Sequence, residues 1–133
     1  MNKIYDKDVD FSCDKTITEI PEGTVFNGNA NFYDCTSLIA IPEGTVFSGD
    51  AYFNRCTSLT TISEGTVFNR YAIFEGCTSL TTIPEGTVFN GNANFYDCTS
   101  LTTIPKSVIK NCKGTIYLPK HLNPNPSNVR YEE

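Results

Sequence analysis

Residues 20–38 read IPEGTVFNGNANFYDCTSL, and residues 83–101 repeat them letter for letter. Two diverged copies lie between, in one 21-residue frame. A fixed period of this length marks a solenoid, in which each repeat cannot bury its apolar side alone and stacks on its neighbours. The period also constrains function, because copies of one unit build a surface rather than a pocket.

The columns of that frame predict the local structure. Phe11, Phe32, Phe53, Phe74, Phe95 and Ile116 fall at steps of 21, with Val9, Ala30, Ala51, Ala72, Ala93 and Gly114 two residues earlier. Apolar residues two apart share one face of a strand. About six short parallel strands follow, typified by 30–34 and ending with 114–118. Cys35, Cys56, Cys77 and Cys98 continue the inward pattern, then Leu38 and Ile41 with their copies, then Val25 with Phe26 and theirs. Pro21, Pro42, Pro84 and Pro105 follow the isoleucines, and Gly23, Gly44, Gly65 and Gly86 come two residues later. Pro fixes φ and Gly tolerates positive φ, so this arc is expected to be extended and turned rather than helical.

Written out, the core is A-x-F-x-x-C-x-x-L-x-x-I-P, and its purest run is CTSLTTIPEGTVF. This resembles the leucine-rich repeat, closest to the bacterial BspA-like class with its A-x-F strand and C-x-x-L-x-x-I-P run. Phe and Ala stand here where Leu is usual. The resemblance spans residues 9–119 and implies a mainly β, leucine-rich-repeat-like solenoid with little or no α-helix. It is specific for fold and weak for function. The division expected is a solenoid over 1–119, with an N-terminal cap at 1–14, followed by a C-terminal cap or disordered tail at 120–133, rich in Pro and Asn.

A net charge of −5 and a pI near 4.8 supply no basic footprint, which argues against nucleic acid or an anionic membrane as partner. The start MNKIYDKDVDFSCDK holds no apolar run, so neither a signal peptide nor a membrane span is expected. The localisation read from this is cytoplasmic, a bacterial or phage protein made there included. The resemblance leaves surface display, or secretion by a non-classical route, as the alternative. The four in-register cysteines read as an inward ladder of free thiols, since parallel side-chain vectors make poor disulfide geometry. Cys13 and Cys112 sit outside that ladder.

No nucleophile elbow, P-loop, HExxH or EF-hand pattern occurs, so no catalytic residue, metal site or cofactor is expected. His121, the single histidine, has no partner at nucleophile spacing. Glu22, Glu43, Glu64 and Glu85 form a column that reads as a solvated edge rather than a row of Ca²⁺ ligands.

Variation in the two middle repeats concentrates on the outward strand positions and near Arg70 and Tyr71. One row runs through Asn31, Tyr52, Ile73 and Asn94, ending at Thr115. The next runs through Tyr33, Asn54, Glu75, Tyr96 and Tyr117, flanked by Asp34, Arg55 and Asp97. Tyr, Asn, Asp and Arg give rigid paratopes large contacts at low entropic cost. The expectation is a non-enzymatic protein–protein interaction module that uses this face. A self-assembling virion or cell-surface component, joined through the solenoid ends as a homo-oligomer, is the alternative, as is a glycan-binding module.

Overall fold

A computed structural model describes Met1, residues 3–122 and residues 128–132. The chain winds as a parallel β-solenoid with two principal sheets. The seven-stranded sheet stacks Val9–Asp10, Ala30–Asn31, Ala51–Tyr52, Ala72–Ile73, Ala93–Asn94, Ile116–Leu118 and Val129–Tyr131. The five-stranded sheet stacks Ile4–Tyr5, Val25–Phe26, Val46–Phe47, Val67–Phe68 and Val88–Phe89. On a third side Ala40–Ile41 pairs with Thr61–Ile62, and single bridges join Glu19 to Ala40 and Thr82 to Thr103. Every strand pair is parallel, as repetition of one unit requires.

The arc after the isoleucine column, expected to be extended and turned, is extended at its Val–Phe pairs and forms a sheet of its own. Alternation explains it: Thr24 and Phe26 point inward and are buried, while Val25 between them is half exposed. The valines expected in the core therefore lean outward. The buried Thr24, Thr45, Thr66 and Thr87 hydroxyls each donate to the carbonyl three residues back, at 2.6–2.8 Å. A polar column is thereby satisfied within its own coil. The strands are shorter than expected. The one foreseen over 30–34 is Ala30–Asn31, because Asp34 already turns at φ 58°.

Aromatic rings set the centre. Tyr5, Phe26, Phe47, Phe68 and Phe89 stack at centroid distances of 5.0–5.3 Å. Phe11, Phe32, Phe53, Phe74 and Phe95 stack at 5.1–5.4 Å. The two columns meet edge to face at 5.5–5.8 Å, the arrangement favoured by the ring quadrupoles. Residues 1–14, expected as a cap, therefore supply Tyr5 and Phe11 to the two stacks and a strand to each sheet.

The last coil departs from the frame. Ile116 pairs with Ala93, and Tyr117 with Asn94, a spacing of 23 rather than 21. The alignment of Ile116 with Phe95 and of Tyr117 with Tyr96 is corrected accordingly, and Tyr117 replaces Thr115 in the Asn31 row. The two extra residues lie where the Gly and Phe columns lapse. Without a glycine to take the left-handed turn, Lys106–Asn111 closes a short helix after Pro105 and buries Val108 and Ile109. From the tail, Val129–Tyr131 adds a seventh strand against Ile116–Leu118. Residues 123–127 and 133 of the segment expected as cap or tail, and Asn2 of the N-terminal cap, lie outside the described residues.

Stacking makes each coil's burial depend on both neighbours. Phe53→Ala, in the middle of its column, is expected to cost about 3–5 kcal/mol in urea unfolding. Phe11→Ala, at a position covered from one side and already half exposed, should cost visibly less. Equal losses at the two sites would contradict the stacked array.

Candidate functional site

The outer face of the seven-stranded sheet is rigid because its backbone is spent on the ladder. Phe32 N–H donates to Tyr52, Phe53 to Ile73 and Phe74 to Asn94, each at 2.7 Å. The alternation that buries Ala30 and Phe32 turns Asn31 and Tyr33 outward. Register brings Asn31, Tyr52, Ile73, Asn94 and Tyr117 into one row. Tyr33, Asn54, Glu75 and Tyr96 form the next, two residues on.

Not every candidate faces solvent unengaged. Asn31 Oδ1 accepts the Tyr33 amide, and Asn94 Oδ1 the Tyr96 amide, both at 2.9 Å. These carboxamides shape the turn that follows each strand. Tyr96 packs edge-on against Tyr117 at 5.6 Å and donates its hydroxyl to the Tyr131 carbonyl. The Asp97 amide donates to Glu132. The C-terminal end of the face is thus tied to the tail through Tyr96 and Asp97.

Beside the rows runs a left-handed column: Cys13, Asp34, Arg55, Gly76 and Asp97 all have φ between 58° and 77°. Asp tolerates this region and Gly prefers it, but Arg does neither. Arg55 nevertheless holds it, its Nη1 donating to the Tyr33 hydroxyl at 3.4 Å and its Nε lying 4.0 Å from Asp34. Lys15 Nζ approaches Asp34 at 3.0 Å, and this hydrogen bond holds the exposed Asp34 carboxyl below its ordinary value.

Hollows open between the side chains, and one of about 620 Å³ is lined by Arg55, Glu75, Gly76, Asp97 and Glu132. A second of about 300 Å³ is lined by Asn31, Tyr33, Tyr52 and Asn54. A third of about 440 Å³ lies at the sheet margin around Asp50, Arg70 and Tyr71. Asp50 joins the last two, accepting the Tyr52 hydroxyl at 3.2 Å and the Tyr71 amide at 3.1 Å. Tyr71, half exposed, was outside the rows singled out from sequence. Its signal was a polar column, Asp8, Asn29 and Asp50, interrupted by an aromatic residue. Among the described residues no cluster of three metal-ligating side chains occurs, and no helix is long and apolar enough to cross a membrane.

Beneath this face the ladder cysteines are buried and free. Each thiol donates to the carbonyl of a phenylalanine in the preceding coil at 3.0–3.1 Å. Burial pushes Cys56 and Cys98 from 9.0 up to about 12, and raises Cys77 further. Such thiols are poor nucleophiles, because the thiolate is the reactive form. Compared with models of known families, with characterised proteins and with solved structures, the chain shows no match.

The thiol shifts have a sign that can be measured. Between about pH 9 and 12 the unfolded chain loses these thiol protons while the native chain keeps them, so stability falls as pH rises. Each buried thiol contributes a slope of up to about 1.4 kcal/mol per pH unit. Cys56→Ala should flatten the slope in urea melts. Thiol labelling of the native protein should start at the exposed Cys13 and spare the ladder until unfolding. At Arg55, glycine fits the left-handed backbone without strain, so Arg55→Gly should raise stability by up to about 1 kcal/mol by the same melts.

Proposed function

We propose that the chain is a non-enzymatic protein-binding module whose partner, another protein, docks on the outer face of the seven-stranded sheet. The observation that carries the reading is where the middle coils depart from the repeat. Inward columns keep Phe, Cys and Leu throughout, whereas the outward positions carry Tyr52, Asn54, Arg55, Ile73 and Glu75 on one rigid backbone. Rigid aromatic and amide groups lose little entropy on contact, which is what an interface selects for. Arg55 adds a donor fork held in a backbone region it disfavours. The A-x-F and C-x-x-L-x-x-I-P runs support kinship with the BspA-like leucine-rich repeats, whose surfaces serve recognition.

A second reading, self-assembly through the solenoid end, is favoured by one observation. In the first coil Tyr5, Val9, Phe11 and Ile17 are only half buried, and Ile4 is 61 % exposed. Light scattering separates the two, since a monomer supports docking on the sheet face and a dimer or filament supports end assembly.

The sheet-face reading is tested by a photo-crosslinking amino acid at Asn54 against one at Glu64, on the solvated acidic column. In extract of the producing cell, position 54 should capture a discrete protein and position 64 none. Excess wild-type chain should compete for that adduct, and excess Tyr52→Ala should not. Equal capture at both positions, or equal competition, would count against the face.

A further inference from the structure

An asparagine modifies itself when the amide nitrogen of the next residue is free to attack its side chain. In most of the solenoid that nitrogen is held. The amides that follow Asn29, Asn31, Asn54, Asn92, Asn94 and Asn111 each donate to a backbone carbonyl at 2.7–3.1 Å. After Asn27 and Asn90 the next residues are Gly28 and Gly91, and neither glycine amide donates a hydrogen bond among the described residues. Glycine also carries no side chain to crowd the attack, whereas Asn69 and Asn128 are followed by Arg70 and Val129. Both carboxamides are engaged through Nδ2 alone, that of Asn27 donating to Asp6 Oδ1 and that of Asn90 to Asn69 Oδ1, each at 3.0 Å.

We infer that Asn27 and Asn90 are sites at which the folded chain deamidates itself, and that the change at Asn27 loosens the first coil. The Gly28 amide gives its proton to hydroxide, and its nitrogen attacks Asn27 Cγ. The Cγ–Nδ2 bond breaks, ammonia leaves with a proton taken from water, and a five-membered imide remains. Water then opens the imide at either carbonyl, giving aspartate or its isomer with the backbone routed through the side chain. Nothing is oxidised or reduced, and water is the only co-reactant. Gly91 acts on Asn90 in the same way.

The consequences differ because the partners differ. Asp6 has a carboxylate and no donor to offer, so an aspartate at position 27 replaces a hydrogen bond with two facing like charges. That contact lies beside the backbone bonds from Val25 to Lys3 and from Asn27 to Tyr5, which tie the first coil to the second. The first coil is covered from one side only, so a lost tie there has the least support. Asn69 has a carboxamide and can turn its Nδ2 toward a carboxylate at position 90, which keeps that contact with donor and acceptor exchanged.

The test is peptide mapping by mass spectrometry of the folded chain aged in mildly alkaline buffer. The mass gain of an asparagine-to-aspartate exchange is expected at Asn27 and Asn90, and at none of the six asparagines whose following amide is bonded. Asn27→Ser, which copies Ser48 of the same column, should abolish the gain at that position and leave the circular dichroism spectrum unchanged. Reaction at both sites only after unfolding in urea overturns the assignment, as does equal reaction at Asn54. Hydrogen exchange reads the loosening. Asn27→Asp should speed exchange of the Val25 amide several-fold, whereas Asn90→Asp should leave the Val88 amide unchanged. Any other pattern in this pair of variants overturns the loosening.

Discussion

In-register parallel stacking is the constraint on which the rest of the molecule depends. Each inward side chain lies directly against its own copy one coil away, so a column accepts only residues that pack well on themselves. Phenylalanine satisfies this by near-parallel stacking, with interplanar angles of 2–6° through most of both columns. Alanine and cysteine are small enough to bring coils to sheet distance, and each thiol gains a carbonyl acceptor from the coil before it. A polar column survives in the interior only because its hydroxyls bond within their own coil and ask nothing of their neighbours. The core is consequently almost invariant, and differences between coils are displaced to the outer face.

The same constraint accounts for what could be read from sequence. Columns at a step of 21 made most inward residues, the parallel pairing and the free thiol ladder legible, the valine column and the last coil excepted, because each depends on identity at equal spacing. The second sheet was not legible. Its strands are two residues long, and the Val–Phe pair looks wholly apolar although only the phenylalanine is buried. Ile4–Tyr5 matches Val25–Phe26 at the repeat step but is masked by the charged residues around it. The two-residue slip at Ile116 was also hidden. Gly114 and Ile116 imitate the small and large columns in the wrong register, and only the helix over Lys106–Asn111 absorbs the difference. In the site, rows were visible because they run along columns.

The middle coils break structural patterns at the margin of that face. Asp8, Asn29 and Asp50 pass a side-chain oxygen to the amide of the next coil, as Asn92 does to Thr115. Tyr71 occupies this column and has no such acceptor to offer. One residue before it, Arg70 stands in a column that starts at Lys7 in the first coil and is otherwise Gly28, Gly49, Gly91 and Gly114. A Cβ added at Gly49 would lie 2.6 Å from the Gly28 backbone, and one at Gly114 would lie 2.5 Å from Gly91. Glycine is there because coils approach backbone to backbone, so an arginine requires local adjustment of that contact.

Arg55, Arg70 and Tyr71 therefore share a property that the exact copies at 20–38 and 83–101 lack. Each sits where the local backbone or hydrogen-bond pattern favours another residue, and each does so on or beside the outer face of the seven-stranded sheet. A repeat array could remove all three departures by copying a neighbouring coil, as the identity of those two segments shows that coils are copied. Sequences that specify a fold well agree with it at every level, and departures gather where function asks for something else. Gly76 makes the contrast sharp, since it fills the same left-handed column as Arg55 without strain one coil away. The disfavoured arginine reaches Tyr33 and Asp34 on one side and, on the other, lines a hollow with Gly76 and Glu132. The departures thus gather on the middle coils, which is the distribution expected if the middle of the sheet, rather than the repeat itself, is where a partner is recognised.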